Sequence, residues 1–270
     1  NVARVMKVGA DVSGVKVGQR ILTHQSHQSA FICPHTDVLI VLSGTVPPAT
    51  ASLAYLAQLG LASLQKADFR PGEHVGILGL GVIGLSAVSV AAALGARVIA
   101  IGNDAFRLAK AREAGAHTCV HYDDPEIGRQ IAEATNGVGI DLLITTANSW
   151  AAWRTALEVV RTKGRIAVLG FPGRGEDPPS FNPLDPCLFY AKQLAILATG
   201  SVSELRVPSS DIRFTLHRNM ELVVSLMEEG RLRLEPLITH RVPWHELVNI
   251  YELAARKEKF LVGAVLDWSK

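Results

Sequence analysis

The sequence predicts an α/β protein, a doubly wound parallel sheet covered by helices on both faces, with a β-rich portion attached. Two observations carry this expectation. One is a run of strand-then-helix units from Val75 onward; the other is a change of apolar period near Ala54, from short alternating runs to helical spacing. A length of 270 residues fits two modest domains or one large α/β unit.

Four short apolar runs separated by turn residues open the chain, at Val2 to Val8, Gly18 to Leu22, Ala30 to Pro34 and Val38 to Leu42, and each reads as a strand. Ala54 to Lys66 has helical spacing. The turn Arg70-Pro71-Gly72-Glu73 then leads into a strand from His74 to Leu78, followed by a helix from Val82. Next come Val98 to Ile101 with the helix Asp104 to Ala114, and Cys119 to Val120 with the helix Asp124 to Ala134. Strands at Leu142 to Thr145, Arg165 to Leu169 and Leu194 to Ala198 complete the series. Beyond Gly200 the pattern loosens to a helix from Phe214 to Glu229, a strand from Leu237 to Val242, a helix from Trp244 to Arg256 and a last strand from Leu261 to Leu266.

Composition removes several classes of function. Apolar residues make up 48% of the chain and charged residues 19%, too apolar a balance for disorder. The longest apolar stretch, Val75 to Ala96, is broken by Gly79, Gly81 and Gly84 and reads as strand, turn and buried helix rather than a membrane span. A net charge of +2 with no basic tract gives no support to nucleic-acid or membrane-surface partners. The three cysteines, Cys33, Cys119 and Cys187, are scattered, as expected in a reducing compartment such as the cytoplasm.

Gly79-Leu80-Gly81-Val82-Ile83-Gly84 fits G-x-G-x-x-G, follows an apolar strand and opens a helix. In that context Gly79 permits the tight turn, Gly81 lets the backbone approach a pyrophosphate, and Gly84 lets helix and sheet pack closely. The amides at Val82 and Ile83 then face the phosphates. In this context the motif predicts the dinucleotide-binding turn of a Rossmann domain, against the alternative of a tight βα turn that holds no ligand.

Sites for NAD usually end the second strand on a carboxylate, roughly twenty residues past the glycines, which accepts the ribose hydroxyls. Here Gly102 stands at that end. Asn103, Arg107 and Tyr122 are in place to meet a 2′-phosphate, which favours NADP. Asp104, two residues beyond Gly102, keeps NAD open as a ribose acceptor.

At this point the chain resembles the medium-chain dehydrogenase/reductase superfamily, in its zinc-type alcohol dehydrogenase branch. The resemblance rests on Val15-Lys16-Val17-Gly18-Gln19-Arg20, Arg70-Pro71-Gly72-Glu73-His74-Val75, Arg107-Leu108-Ala109-Lys110 with Gly115-Ala116, Gly139-Ile140-Asp141, Gly164 to Gly170, and Leu237 to Pro243, taken in order. It implies a partial GroES-like β domain from residues 1–53 and 200–270, which would carry the substrate and catalytic machinery, around a Rossmann domain at 54–199. It also implies that Thr146, Ala147, Leu169 and Gly170 line the nicotinamide side, and that copies pair into a homodimer or homotetramer.

Departures from the family pattern bear on mechanism. The sequence opens on Asn1 just past the family's first cysteine ligand and G-H-E motif, and so reads as lacking an N-terminal segment. The third zinc-ligand position falls at Ala54-Tyr55, which supplies neither thiolate nor carboxylate, and the four-cysteine structural lobe is missing. Ala264 stands near where a cofactor-reaching Lys or Arg is common. Zinc is therefore not supported by these residues, and no catalytic residue is nominated.

Other polar residues read more plainly. His24 and His27, three apart in a β-rich stretch, would face opposite ways rather than share a metal, and His35 adds nothing to them. Cys33 has no neighbouring base, Tyr55 suits a domain seam, and His240 suits a structural joint. The function expected is hydride transfer between NAD(P) and a small-molecule carbonyl, alcohol or conjugated carbonyl; a non-catalytic NAD(P)-binding module is the alternative.

Overall fold

Antiparallel pairing opens the computed structural model, which describes residues 1–200 and 202–269. Strand β1 (Val2–Arg4) pairs with β2 (Arg20–Thr23), and β2 with β3 (Val38–Leu42). Val5, Ile21 and Val38 form the small core of this sheet. The strand expected over Val2 to Val8 is shorter, and that expected over Ala30 to Pro34 is absent. Its alternation finds no face to bury, since Ile32 is fully exposed, and Pro34 instead leads into a 3₁₀ turn at His35–Asp37.

After the one-turn helix α1 (Pro48–Ala51) and α2 (Ala54–Lys66) the chain builds its main sheet. In chain order the strands and helices are β4 (His74–Leu78), α3 (Val82–Ala93), β5 (Arg97–Gly102), α4 (Ala105–Glu113), β6 (Thr118–His121), α5 (Ile127–Ala134), β7 (Ile140–Thr145), α6 (Trp150–Val159), β8 (Val160–Val168) and β9 (Ala195–Ala198). Their spatial order is β6-β5-β4-β7-β8-β9, with every pair parallel. Burial explains the apolar runs: β7 is buried throughout, and α3 is buried continuously from Gly84 to Ala91, as a helix pressed between layers must be.

Helix α6 was not among the expected elements. Ser149 caps it, accepting from Ala152 N at 3.2 Å, and Ala152, Trp153, Ala156 and Leu157 form its buried stripe. That i, i+1, i+4, i+5 spacing was available in the sequence.

The amino ends of the strands are tied by charge. Asp141, at the start of β7, accepts from His74 N at 2.8 Å and from Arg161 Nε at 2.6 Å. Arg165 of β8 pairs with Glu73 at 2.6 Å and donates to Asp68 O at 3.0 Å.

The rest of the chain adds α7 (Leu216–Glu228), β10 (Ile238–Pro243), α8 (Leu247–Ala255) and β11 (Gly263–Asp267). Strands β10 and β11 form a parallel pair. Arg206 Nη2 donates to Val38 O at 2.9 Å, which ties this segment to β3. The chain divides into two compact units, Asn1–Gln58 with Ser203–Lys270, and Leu59–Val202. Ser201 and Lys270, inside the expected 200–270 portion, lie outside the described residues. Among the described residues no helix is long and apolar enough to cross a membrane.

Candidate functional site

The turn after β4 is shaped by three glycines that do different work. Gly79 sits at φ +94°, in the left-handed region, and a β-carbon there would lie 2.8 Å from both Ala147 N and Thr146 Oγ1. At Gly84 a β-carbon would lie 1.8 Å from Gly79 O, so the first turn of α3 rests directly on that carbonyl. Gly81 is different. Its φ of −73° suits any residue, and a β-carbon would meet nothing within 4 Å. No described side chain caps α3, so the N–H groups of its first turn, at Val82 and Ile83, are presented to an anion above Gly81.

The turn lies where the strand order reverses. From β4 the chain runs outward through β5 and β6, then crosses back to β7 on the other side of β4, which opens a crevice at the carboxyl ends of the strands. Thr146 N donates to Leu78 O at 2.9 Å, and its hydroxyl donates to Gly79 O at 2.8 Å. Leu169 N and Gly170 N both donate to Thr145 O, at 3.0 and 2.9 Å, and a β-carbon on Gly170 would lie 2.6 Å from Thr146 O. Thr146, Ala147, Leu169 and Gly170 thus gather beside the glycine turn.

Beyond β5 the other candidates cluster around Gly102. Tyr122 N donates to Gly102 O at 3.0 Å, and the Tyr122 ring stacks on His121, with ring centroids 6.0 Å apart. Leu80 covers Gly102: a β-carbon there would lie 2.6 Å from Leu80 Cδ1. Arg107 Nη1 donates to Leu80 O at 3.1 Å, which brings a guanidinium to the glycine turn. Asp104 caps α4, its carboxylate accepting from Arg107 N at 3.1 Å, while Asn103 is exposed. Nearby Asp124 accepts from Glu126 N and Gln130 Nε2, and those bonds hold its carboxyl below the usual range. Leu80 and His121 were not singled out in the sequence; the bond to Leu80 spans 27 residues and leaves no local signal.

The remaining polar residues stand apart from this cluster in sequence and role. His24 meets Tyr55 edge-on at 4.5 Å, and His27 meets Tyr251 edge-on at 6.2 Å. His240 Nδ1 lies 3.0 Å from Thr239 Oγ1, and that hydroxyl bridges to the start of β11 by donating to Gly263 O. Burial and then Asp37 push the Cys33 thiol up, away from thiolate chemistry.

Strand order and glycine turn together define a doubly wound Rossmann-type protein. Comparison with known proteins narrows that class. A family model described as "Zinc-binding dehydrogenase" matches residues 82–214. The L-threonine 3-dehydrogenase of Bacillus licheniformis is 30% identical over 183 residues, 67% of this chain and 48% of that protein. The NADP-dependent isopropanol dehydrogenase of Thermoanaerobacter brockii is 36% identical over 121 residues, 44% of this chain and 34% of that one. Among solved structures, an alcohol dehydrogenase of Thermus sp. ATN1 superposes with a TM-score of 0.67 at 27% identity, covering 84% of this chain and 60% of that one. These matches support the medium-chain dehydrogenase/reductase superfamily, in its zinc-type alcohol dehydrogenase-like branch. The chain's fold is accordingly a Rossmann sheet with a GroES-like β unit drawn from both chain ends. The chain spans about half the length, or less, of the curated relatives named here.

The family implies two groups, and the residues treat them differently. A dinucleotide fits, because the space above Gly81 is open beside uncapped amides. For zinc, no three His, Cys, Asp or Glu side chains gather into a metal site among the described residues.

Proposed function

We propose that this chain forms part of an NAD(P)-dependent oxidoreductase of the alcohol dehydrogenase/quinone reductase type. The observation that carries the reading is the contrast within the glycine turn, where Gly79 and Gly84 are filled by protein and Gly81 alone faces open space. The names of the relatives support it. When bound, the nicotinamide supplies or accepts the hydride exchanged with a carbonyl or alcohol carbon of a small-molecule substrate. The chain's own contribution is to bind and orient. Gly79, Gly81, Val82, Ile83 and Gly84 would hold the pyrophosphate; Thr146, Ala147, Leu169 and Gly170 would border the nicotinamide half. Residues 54–199 are the dinucleotide domain in this reading, and 1–53 with 200–270 the substrate domain. The copies associate as a homodimer or homotetramer. Three unbridged cysteines support a reducing, cytoplasmic setting.

Within this reading NADP is preferred over NAD. Gly102 ends its strand without a carboxylate, and the Arg107 guanidinium reaches the turn beside it; the Thermoanaerobacter brockii relative is named as NADP-dependent. Asn103 and Tyr122 complete the adenosine end. Asp104 opposes the preference weakly, because its carboxylate already caps α4. Fluorescence titration of the chain with NADPH and NADH tests both levels. Binding of both with NADPH the tighter is expected. No binding of either overturns the dinucleotide reading, and about a tenfold preference for NADH, 1.4 kcal/mol, overturns the NADP assignment alone.

A further inference from the structure

Resting on the dinucleotide reading, we infer that Thr146 is the positioning residue that sets the shape of the glycine turn, through its hydroxyl on the Gly79 carbonyl. Two hydrogen bonds and one close approach converge on this residue, from the end of β4, the turn that follows it and the segment just past β8. Its N–H donates to Leu78 O at 2.9 Å, at the end of β4. Its hydroxyl donates to Gly79 O at 2.8 Å, and that same oxygen is what a β-carbon on Gly84 would strike at 1.8 Å. Its own carbonyl is what a β-carbon on Gly170 would strike at 2.6 Å, just past β8. Thr146 therefore touches the end of β4, the glycine turn and the backbone just past β8.

The Gly79 carbonyl is the pivot of the turn. Gly79 holds φ +94°, and without a β-carbon its backbone has more accessible conformations than that of any other residue, so the turn's shape depends on what fixes the flanking peptides. The main chain fixes one side, through Gly79 N donating to Ile101 O at 3.1 Å. On the other side the carbonyl is anchored from the side chains by the Thr146 hydroxyl, across 67 residues of sequence. Rotation of that peptide would carry Leu80 and Gly81 with it and re-aim the first amides of α3. A site that recognises phosphate through backbone N–H groups depends on their direction, so the hydroxyl acts on affinity without touching the ligand.

The test is the affinity of the full chain for ADP-ribose, which carries the pyrophosphate without the nicotinamide, measured by calorimetry for the wild type, T146V and T146S, alongside the melting temperature of each ligand-free chain. Val keeps the shape and removes the hydroxyl; Ser keeps the hydroxyl. About a tenfold loss of affinity in T146V is expected, with recovery in T146S, at a temperature where both variants are folded. Wild-type affinity in T146V, or the same loss in T146S as in T146V, overturns the inference while leaving dinucleotide binding intact. Failure of the wild type to bind ADP-ribose, NADH or NADPH overturns the dinucleotide reading itself. Should T146V not fold, T146S against T146A decides in the same way.

Discussion

Replacing Gly81 with alanine separates what the protein needs from what a ligand needs. A methyl group at Gly81 meets no protein atom within 4 Å, and the backbone at φ −73° accepts any residue. Alanine is a poorer N-cap than glycine, by a few tenths to about 1 kcal/mol. The less flexible unfolded chain returns about 0.4–1 kcal/mol. The two nearly cancel, so the ligand-free melting temperature should move by no more than about 2–4 °C. Binding should respond far more. A methyl above the uncapped amides of α3 holds a pyrophosphate off, and weakening one charge-assisted hydrogen bond removes about 1.5–3 kcal/mol, or roughly 10- to 150-fold in affinity. Thermal melting of the ligand-free variant and NADPH titration by fluorescence provide the two numbers. A G81A chain that binds NADPH within about twofold of wild type would show that the open space is not where phosphate sits, and the argument from the turn would fail.

The neighbouring glycine should behave in the opposite way. G84A drives a β-carbon to 1.8 Å from Gly79 O, so it should destabilise the ligand-free chain by about 1–3 kcal/mol, read from denaturant midpoints. D141A should cost about 1.5–3 kcal/mol by the same assay without changing NADPH affinity. The lower part of that range is expected because Arg161, with 36% of its side chain exposed, can turn to water. Gly102→Asp should raise NADH affinity relative to NADPH only if Leu80 swings aside, since the new β-carbon would lie 2.6 Å from Leu80 Cδ1; titration of G102D against G102D/L80A reads this directly. Glu235 has a depressed carboxyl, held down first by the Thr50 hydroxyl at 2.7 Å and also by Arg241 at 2.6 Å. Its stabilising contribution is complete above the ordinary value of 4.5 and is lost as pH falls through the lower native value. Glu235→Gln should therefore shrink the acid-induced loss of stability in that window, as a small effect because the side chain is 62% exposed.

Local chemistry made much of the fold legible. The glycine turn and the start of α3 at Val82 are written within six neighbouring residues, because the constraints are those of one tight turn. The parallel strands were legible as apolar runs since both their faces are covered. Alternation misled at Ala30 to Pro34, because the pattern signals burial only where another layer arrives, and none reaches Ile32. Helix α6 is signalled by Ser149 and the Trp153-Ala156-Leu157 stripe, a short pattern that sits between two strand-like runs and so stands out less than they do. Around the candidate site the sequence marked the residue types but not their partners. The Thr146 hydroxyl finds Gly79 and the Arg107 guanidinium finds Leu80 only once distant strands lie side by side.

Ion pairs between neighbouring segments lace one rim of the main sheet, and close-packed glycines shape the other. At the amino ends of the strands, Asp141 with Arg161 and His74, and Arg165 with Glu73, lace neighbouring segments together. At the carboxyl ends, around the glycine turn, the contacts include backbone carbonyls, the Thr146 hydroxyl on Gly79 O, the Arg107 guanidinium on Leu80 O and close-packed glycines. A sheet wired this way has a tether and a mouth. Drift among the tethering residues registers as melting temperature and leaves the mouth unaltered, while drift in the mouth retunes what is held there without unlacing the base. Stability and ligand preference are thus separately adjustable in a single sheet, and a more robust variant of this protein can be sought at Glu73, Asp141, Arg161 and Arg165 with its binding chemistry left as it stands.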